Sequence, residues 1–188
     1  MKPFRLVLSL GGLALLATGL GSCLKAPEYS TTPSISNNNV RVRRYKYADP
    51  KQQPIDSVFI TINFQDGDGD LGLTAAESQV APYAFPSVFN NNYFVEPFLK
   101  DPKTGKFAST VSLGLTTNGA YNGRFDHITG LTDSKTAPIK GTLTRTIALG
   151  YGDLFTAGQV VRFDVHIVDR ALHLSNTIRT DSIVIKPL

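Results

Sequence analysis

Asp66, Asp68 and Asp70 stand two residues apart in the run Asp66-Gly67-Asp68-Gly69-Asp70-Leu71-Gly72. Carboxylates at i, i+2 and i+4 of an extended chain share one side, and Gly67 and Gly69 let the backbone curl until they converge. Without a cation the three groups repel one another. Ca²⁺ takes roughly 6–8 oxygens at ~2.3–2.6 Å, so with calcium the same crowding becomes binding energy. Magnesium fits less well, because nothing suggests a phosphate substrate to share it. The competing reading is a solvated acidic β-turn, Asp-Gly being common in hairpins, although a hairpin needs one Asp-Gly and not three aspartates in register.

In part the loop resembles an EF-hand. With Asp66 at position 1, Asp68 and Asp70 fall at 3 and 5, Leu73 at the apolar position 8 and Glu77 at 12. Position 6 is Leu71, where that family needs glycine, and the flank before the loop reads as a strand. An acidic calcium loop on a β scaffold is therefore expected, with Asp66, Asp68 and Asp70 as ligands and Glu77 as a further candidate. A second acidic point lies in Asp169-Arg170-Ala171-Leu172-His173-Leu174-Ser175-Asn176, directly after a strand. If 57–64 is strand B of a sandwich and Val160–Val168 is strand F, the B–C and F–G loops lie at one end. Asp169 and Asn176 then complete or support the coordination shell. The alternative is that Asp169 pairs with Arg170 or Arg179, or starts a turn.

Strands must position these loops. Val58, Ile60, Ile62 and Phe64 alternate with Phe59, Thr61 and Asn63, and Val161, Phe163, Val165 and Ile167 alternate with Arg162, Asp164, His166 and Val168. This period of two marks half-buried strands. Weaker strands are expected at Arg41–Tyr47, Tyr93–Lys100, Phe107–Leu115, Arg124–Ile128, Ile139–Leu149 and Ile178–Ile185, and single helical turns at Ala75–Val80 and Asp153–Thr156. The fold class expected is all-β: an antiparallel immunoglobulin-like β-sandwich of about 7–8 strands. No repeat that would signal a solenoid or propeller is visible.

The start of the chain carries an address. Lys2 and Arg5 precede an uncharged, leucine-rich stretch from Leu6 to Leu20, too short for a membrane span of ~20 residues but suited to a signal-peptide core. Leu20-Gly21-Ser22-Cys23 looks like a bacterial lipobox, and Cys23 is the only cysteine. This resemblance implies a lipoprotein signal peptide over residues 1–22, removed in the mature chain, and acylation of Cys23, for example with palmitate. Each buried CH₂ contributes ~0.8 kcal/mol, so several acyl chains make a stable membrane anchor. Leu24, not aspartate, follows the cysteine, which by the same resemblance implies the outer membrane. Residues 23–39 are rich in Ser, Thr, Pro and Asn with no apolar period; they read as a flexible tether of roughly 50–60 Å reach. Residues 40–188 form the expected β-sandwich domain.

Removal of Lys2 and Arg5 leaves seventeen basic and fifteen acidic side chains. No nucleic-acid partner is expected from so even a balance. A single cysteine excludes an intramolecular disulfide and a cysteine-based zinc cluster. His127, His166 and His173 lack metal-ligand spacing, and His166 falls on the outward register of its strand, as a surface side chain. No G-x-S-x-G, H-E-x-x-H or P-loop occurs. The absence of Trp weakens an aromatic sugar platform, though Tyr83, Tyr93 and Tyr121 remain able to stack.

A strand running into DGDGDLG, with DRALHLSNTIRTDSIVI after a lipobox, resembles Bacteroidetes-type cell-envelope lipoproteins with a DGDGD-[IL]-G loop. The resemblance covers the signal, the loop and the last ~30 residues and implies location and architecture more than activity. The function expected is a non-enzymatic, calcium-stabilised binding or interaction lipoprotein at the outer membrane, its partner a glycan or an envelope protein. The alternative is a glycan-acting hydrolase whose acidic residues converge only in the fold.

Overall fold

The computed structural model describes residues 27–49, 51–128, 136–152 and 154–187. The signal peptide expected over residues 1–22, Cys23 and Asp153 lie outside them. Eight strands are present: β1 (Ser34–Tyr45), β2 (Ile55–Asp66), β3 (Tyr93–Lys100), β4 (Phe107–Ser109), β5 (Ile139–Gly150), β6 (Val160–Ile167), β7 (Ile178–Arg179) and β8 (Ile183–Val184). One sheet runs β1-β2-β5 and the other β4-β3-β6-β7, with β8 also paired to β6. All these pairings are antiparallel. The order is that of an immunoglobulin-like sandwich: β1, β2 and β5 take the places of strands A, B and E, and β3, β6 and the β7–β8 pair those of C, F and G.

The alternation in the two strongest strands explains the layers. Val58, Ile60, Ile62 and Phe64 of β2 and Ile147 and Leu149 of β5 form one inner face. Tyr93, Val95 and Leu99 of β3 and Val161, Phe163, Val165 and Ile167 of β6 form the other. Burying each such side chain contributes ~1.5–3 kcal/mol, which selects this register over a one-residue slip that would turn the whole row to solvent.

Several expected elements are shorter or longer than their sequence suggested. β1 begins at Ser34, so residues 34–39, expected within the tether, belong to the sheet and pair with β2 from Ser34↔Gln65 onward. Only Ile35 there is a buried apolar residue, which left no visible period. The polar residues satisfy one another across the pair instead: Asn38 Nδ2 donates to Asn63 Oδ1 at 2.7 Å and Asn63 Nδ2 to Ser36 Oγ at 3.3 Å. The strand expected over 107–115 stops at Ser109, whose hydroxyl accepts from the Val111 amide at 3.1 Å and opens a turn. The strand expected over 178–185 is split at Thr180, whose hydroxyl accepts from the Phe163 amide at 3.0 Å. Residues 124–128 contribute one isolated bridge, Leu73↔Asp126. The helical turn expected at 75–80 is the 3-10 turn Glu77–Gln79. No helix among the described residues is long and apolar enough to cross a membrane.

β2 ends at Asp66, β6 ends just before Asp169, β3 begins at Tyr93 and β1 begins beside Gln65, so all four meet at one pole of the sandwich. The chain reaches this pole through Tyr29 and Ser30. Ser30 O accepts from the Gly67 amide at 2.8 Å, and a Cβ at Gly67 would overlap the Tyr29 carbonyl and stand 2.8 Å from that of Ser30. Gly67 is thus fixed by a close backbone approach. Gly67→Ala is expected to cost ~1–3 kcal/mol and to expose the segment from Pro27 to Pro33 to proteases. Unchanged melting and unchanged cleavage would show that this segment is not held against the loop.

Candidate metal centre

The acidic run leaves β2 at its last residue. Gly69 takes a left-handed backbone with φ of 72°, which turns the chain back. Leu71 and Leu73 are 0% and 2% exposed and pin the loop to the core. This is why leucine stands where an EF-hand has glycine: the residue is a core side chain. The outcome is that carboxylate oxygens of Asp66, Asp70 and Asp169 lie within 4.8 Å of one another. Two oxygens bound to one Ca²⁺ at ~2.3–2.6 Å are at most about 5 Å apart, so the group fits the dimensions of a calcium shell. Asp68 stands outside that trio but adjoins it.

Hydrogen bonding satisfies only part of the cluster. Asp66 Oδ2 accepts from the Asp70 amide at 3.1 Å, and Asp70 Oδ2 from the Ala171 amide at 3.1 Å. The other oxygen, Oδ1, of each of Asp66, Asp68 and Asp70 is buried and accepts no hydrogen bond. Asp66 is completely buried. Burial, and then the charges of Asp68, Asp70 and Asp169, push the Asp66 carboxyl up to about 7. Burial, followed by Asp169 and Asp68, raises Asp70 to about 6, opposed by the Ala171 amide and Arg170.

The β6–β7 loop supplies the rest. Asp169, 2% exposed, is held by His173, whose amide donates to Oδ1 at 2.7 Å and whose Nδ1 lies 2.9 Å from Oδ2. That contact raises the imidazole above its ordinary value. Neither Arg170 nor Arg179 pairs with Asp169: Arg170 bonds the Asp70 carbonyl through Nε at 3.1 Å and Glu77 through Nη1 at 3.1 Å, and Arg179 pairs with Asp164. The Tyr83 hydroxyl donates to the Arg170 carbonyl and ties in the far part of the long loop.

Two further candidates are placed elsewhere. Glu77 is a clamp: its Oε2 accepts from the Thr74 amide at 2.7 Å and hydroxyl at 2.8 Å, and its Oε1 meets Arg170. Against partial burial, those bonds hold Glu77 below the usual carboxylate range. Its spacing matched a helical loop, whereas this loop has become a 3-10 turn by that point. Asn176 faces β1, its Oδ1 accepting from the Ile35 amide at 2.8 Å and its Nδ2 donating to the Ile35 carbonyl at 2.9 Å. Sequence reading gave His173 no role; its signal was the i, i+4 spacing from Asp169. Arg170 left none, because its partners come from a loop a hundred residues away in sequence.

A separate concavity of about 260 Å³ lies over the outer face of β3 and β6, lined by Phe94, Glu96, Asn118, Tyr121, Asp164 and His166 among others. His166 stacks on Phe94 with ring centres 4.6 Å apart and planes 4° from parallel. It is therefore half-buried under this wall and not the open surface side chain its register suggested, and burial lowers its pKa.

Comparison with family models, curated proteins and solved structures finds no match.

Asp66 and Asp70 hold protons more tightly in the folded than in the unfolded chain. In the metal-free protein their contribution to stability is fully present below the unfolded value near 3.8 and is lost as pH rises through about 6 and about 7. His166, lowered by burial, acts in the opposite sense, so the clean measurement is a difference. In chelator, the wild type is expected to lose more stability than Asp66→Asn between pH 5 and pH 8, read from urea midpoints. Equal losses would mean that Asp66 carries no such strain.

Proposed function

We propose that this chain is a calcium-stabilised, non-catalytic binding module of the cell envelope, held at the outer membrane through a lipid on Cys23. The observation that carries the calcium reading is the convergence of Asp66, Asp70 and Asp169 around buried carboxylate oxygens that accept no hydrogen bond. A buried anionic acceptor without a partner is costly, and a hard cation with oxygen preference is the species that satisfies several at once. The same burial favours a metal over acid–base catalysis. Asp66 and Asp169 are too enclosed to touch a glycosidic oxygen, which a general acid must reach.

The concavity over β3 and β6 is where a glycan fits best. Half-buried Tyr121 and His166, the latter backed by Phe94, offer ring surface, while Glu96, Asp164 and Asn118 offer polar groups for sugar hydroxyls. His166→Ala is expected to weaken retention of the protein on whichever oligosaccharide of a glycan array the wild type binds, leaving its calcium response intact. Retention equal to wild type would move the ligand site off this face.

Calcium is tested by melting. A ligand bound only by the native state adds ~2.7 kcal/mol at a hundredfold excess over Kd, and a domain of this size gains ~2–4 °C per kcal/mol. Wild type in millimolar calcium is thus expected to melt several degrees above wild type in chelator. Asp66→Asn removes a crowded charge, so it should melt higher than wild type in chelator and lose the calcium gain. Asp68→Asn should lower calcium affinity less than Asp70→Asn, because Asp68 lies outside the closest trio. Coincident wild-type curves would return the loop to the class of acidic turns.

A further inference from the structure

The shortened tether has a geometric consequence. The chain is docked at Ser30, against Gly67, so only six residues, or seven Cα–Cα steps, separate that point from Cys23. Fully extended they reach about 23–25 Å, less than half of the span expected from sequence. β2 is twelve residues long, which puts the opposite pole roughly 40 Å further along the strands. With a lipid on Cys23, the pole that comes to the bilayer is the one bearing the β2–β3 and β6–β7 loops.

That pole carries an apolar tip. Within the β2–β3 loop Phe85 is 87% exposed, Val80 57% and Val88 56%. Singly exposed apolar side chains are ordinary, but here three fall within nine residues. No Asp, Glu, Lys or Arg occurs from Ser78 through Val95, so no charge need be stripped of water if the tip enters the headgroup region. The segment is also anchored from behind: Asn90 Nδ2 donates to the carbonyls of Tyr83 at 2.8 Å and Ser78 at 3.1 Å, and Tyr83 is tied to Arg170. Phe85 is thus held outward by a braced loop.

We infer that residues 80–88, with Phe85 foremost, rest in the headgroup layer of the membrane to which the chain is anchored and orient the sandwich with its acidic pole down. This rests on the reading of Cys23 as lipidated, and the bilayer is the occupant because the short lead brings this pole, and no other, to it.

The chain contains no tryptophan, so a single introduced indole reports its own surroundings. Phe85→Trp is a conservative change at an exposed site. Tyr45→Trp, at the opposite end of β1 and 59% exposed, is the control. The lipidated full chain is reconstituted into vesicles of phosphatidylethanolamine and phosphatidylglycerol, with and without brominated acyl chains. The expected result is blue-shifted emission from Trp at 85 with strong loss of intensity on brominated lipid, and neither effect for Trp at 45. Protein that sediments with vesicles but leaves Trp at 85 unshifted and unquenched would overturn the inference while keeping the anchor. Equal quenching of both indoles would overturn it in favour of a domain lying on its side. Protein that stays in the supernatant, as Cys23→Ser should, would overturn the anchor and the inference with it.

Discussion

The mutual repulsion of carboxylates at one pole of the sandwich is the constraint around which the loops are built. Asp66, Asp68, Asp70 and Asp169 crowd together, with Arg170 and His173 nearby to oppose them, and three of their oxygens accept no hydrogen bond. Such an arrangement persists only because the surrounding structure over-determines it. Leu71 and Leu73 fix the loop to the core, and Asp66 is part of β2 itself. Proton or cation must balance what the fold imposes. The raised pKa values of Asp66 and Asp70 describe the first solution, and a bound calcium ion, on the reading proposed above, is the second.

The same pole gathers the rest of the architecture. The N-terminal segment docks against Gly67, Asn176 clamps the backbone of Ile35 on both sides, and Arg170 links Asp70 to Glu77. Three chain segments distant in sequence are thus held by one small volume. The lead into β1, the long β2–β3 loop and the β6–β7 loop are all hydrogen-bonded in or beside the cluster. This gives physical content to the idea of a cation that orders the domain: it would not add a new contact so much as remove the repulsion that those contacts now contain.

Much of this was legible in the residues. β2 and β6 were visible from strict alternation, because each has one face buried, and reading them as B and F of a sandwich put the loops that follow them at one end. That placement is what brought Asp169 to Asp66 across a hundred residues. Polar segments were read less well. Residues 34–39 have one buried apolar side chain, and cross-strand bonds among Ser36, Asn38 and Asn63 hold a strand that hydrophobic period does not reveal. Glu77 was placed by analogy with a helical loop, and a strand-borne loop sends it to Thr74 and Arg170 instead. His166 lies on the outward register, but a loop covers that face, and no alternation rule reports what a distant loop will cover. His173 and Arg170 act through partners that only the fold supplies.

Calcium titration calorimetry on the domain stripped of metal tests the central claim most directly. The account predicts one ion bound per chain, with protons released on binding near neutral pH as Asp66 and Asp70 ionise, and no binding heat for Asp70→Asn at the same concentrations. Absence of heat for the wild type, together with no calcium retained in equilibrium dialysis, would contradict it.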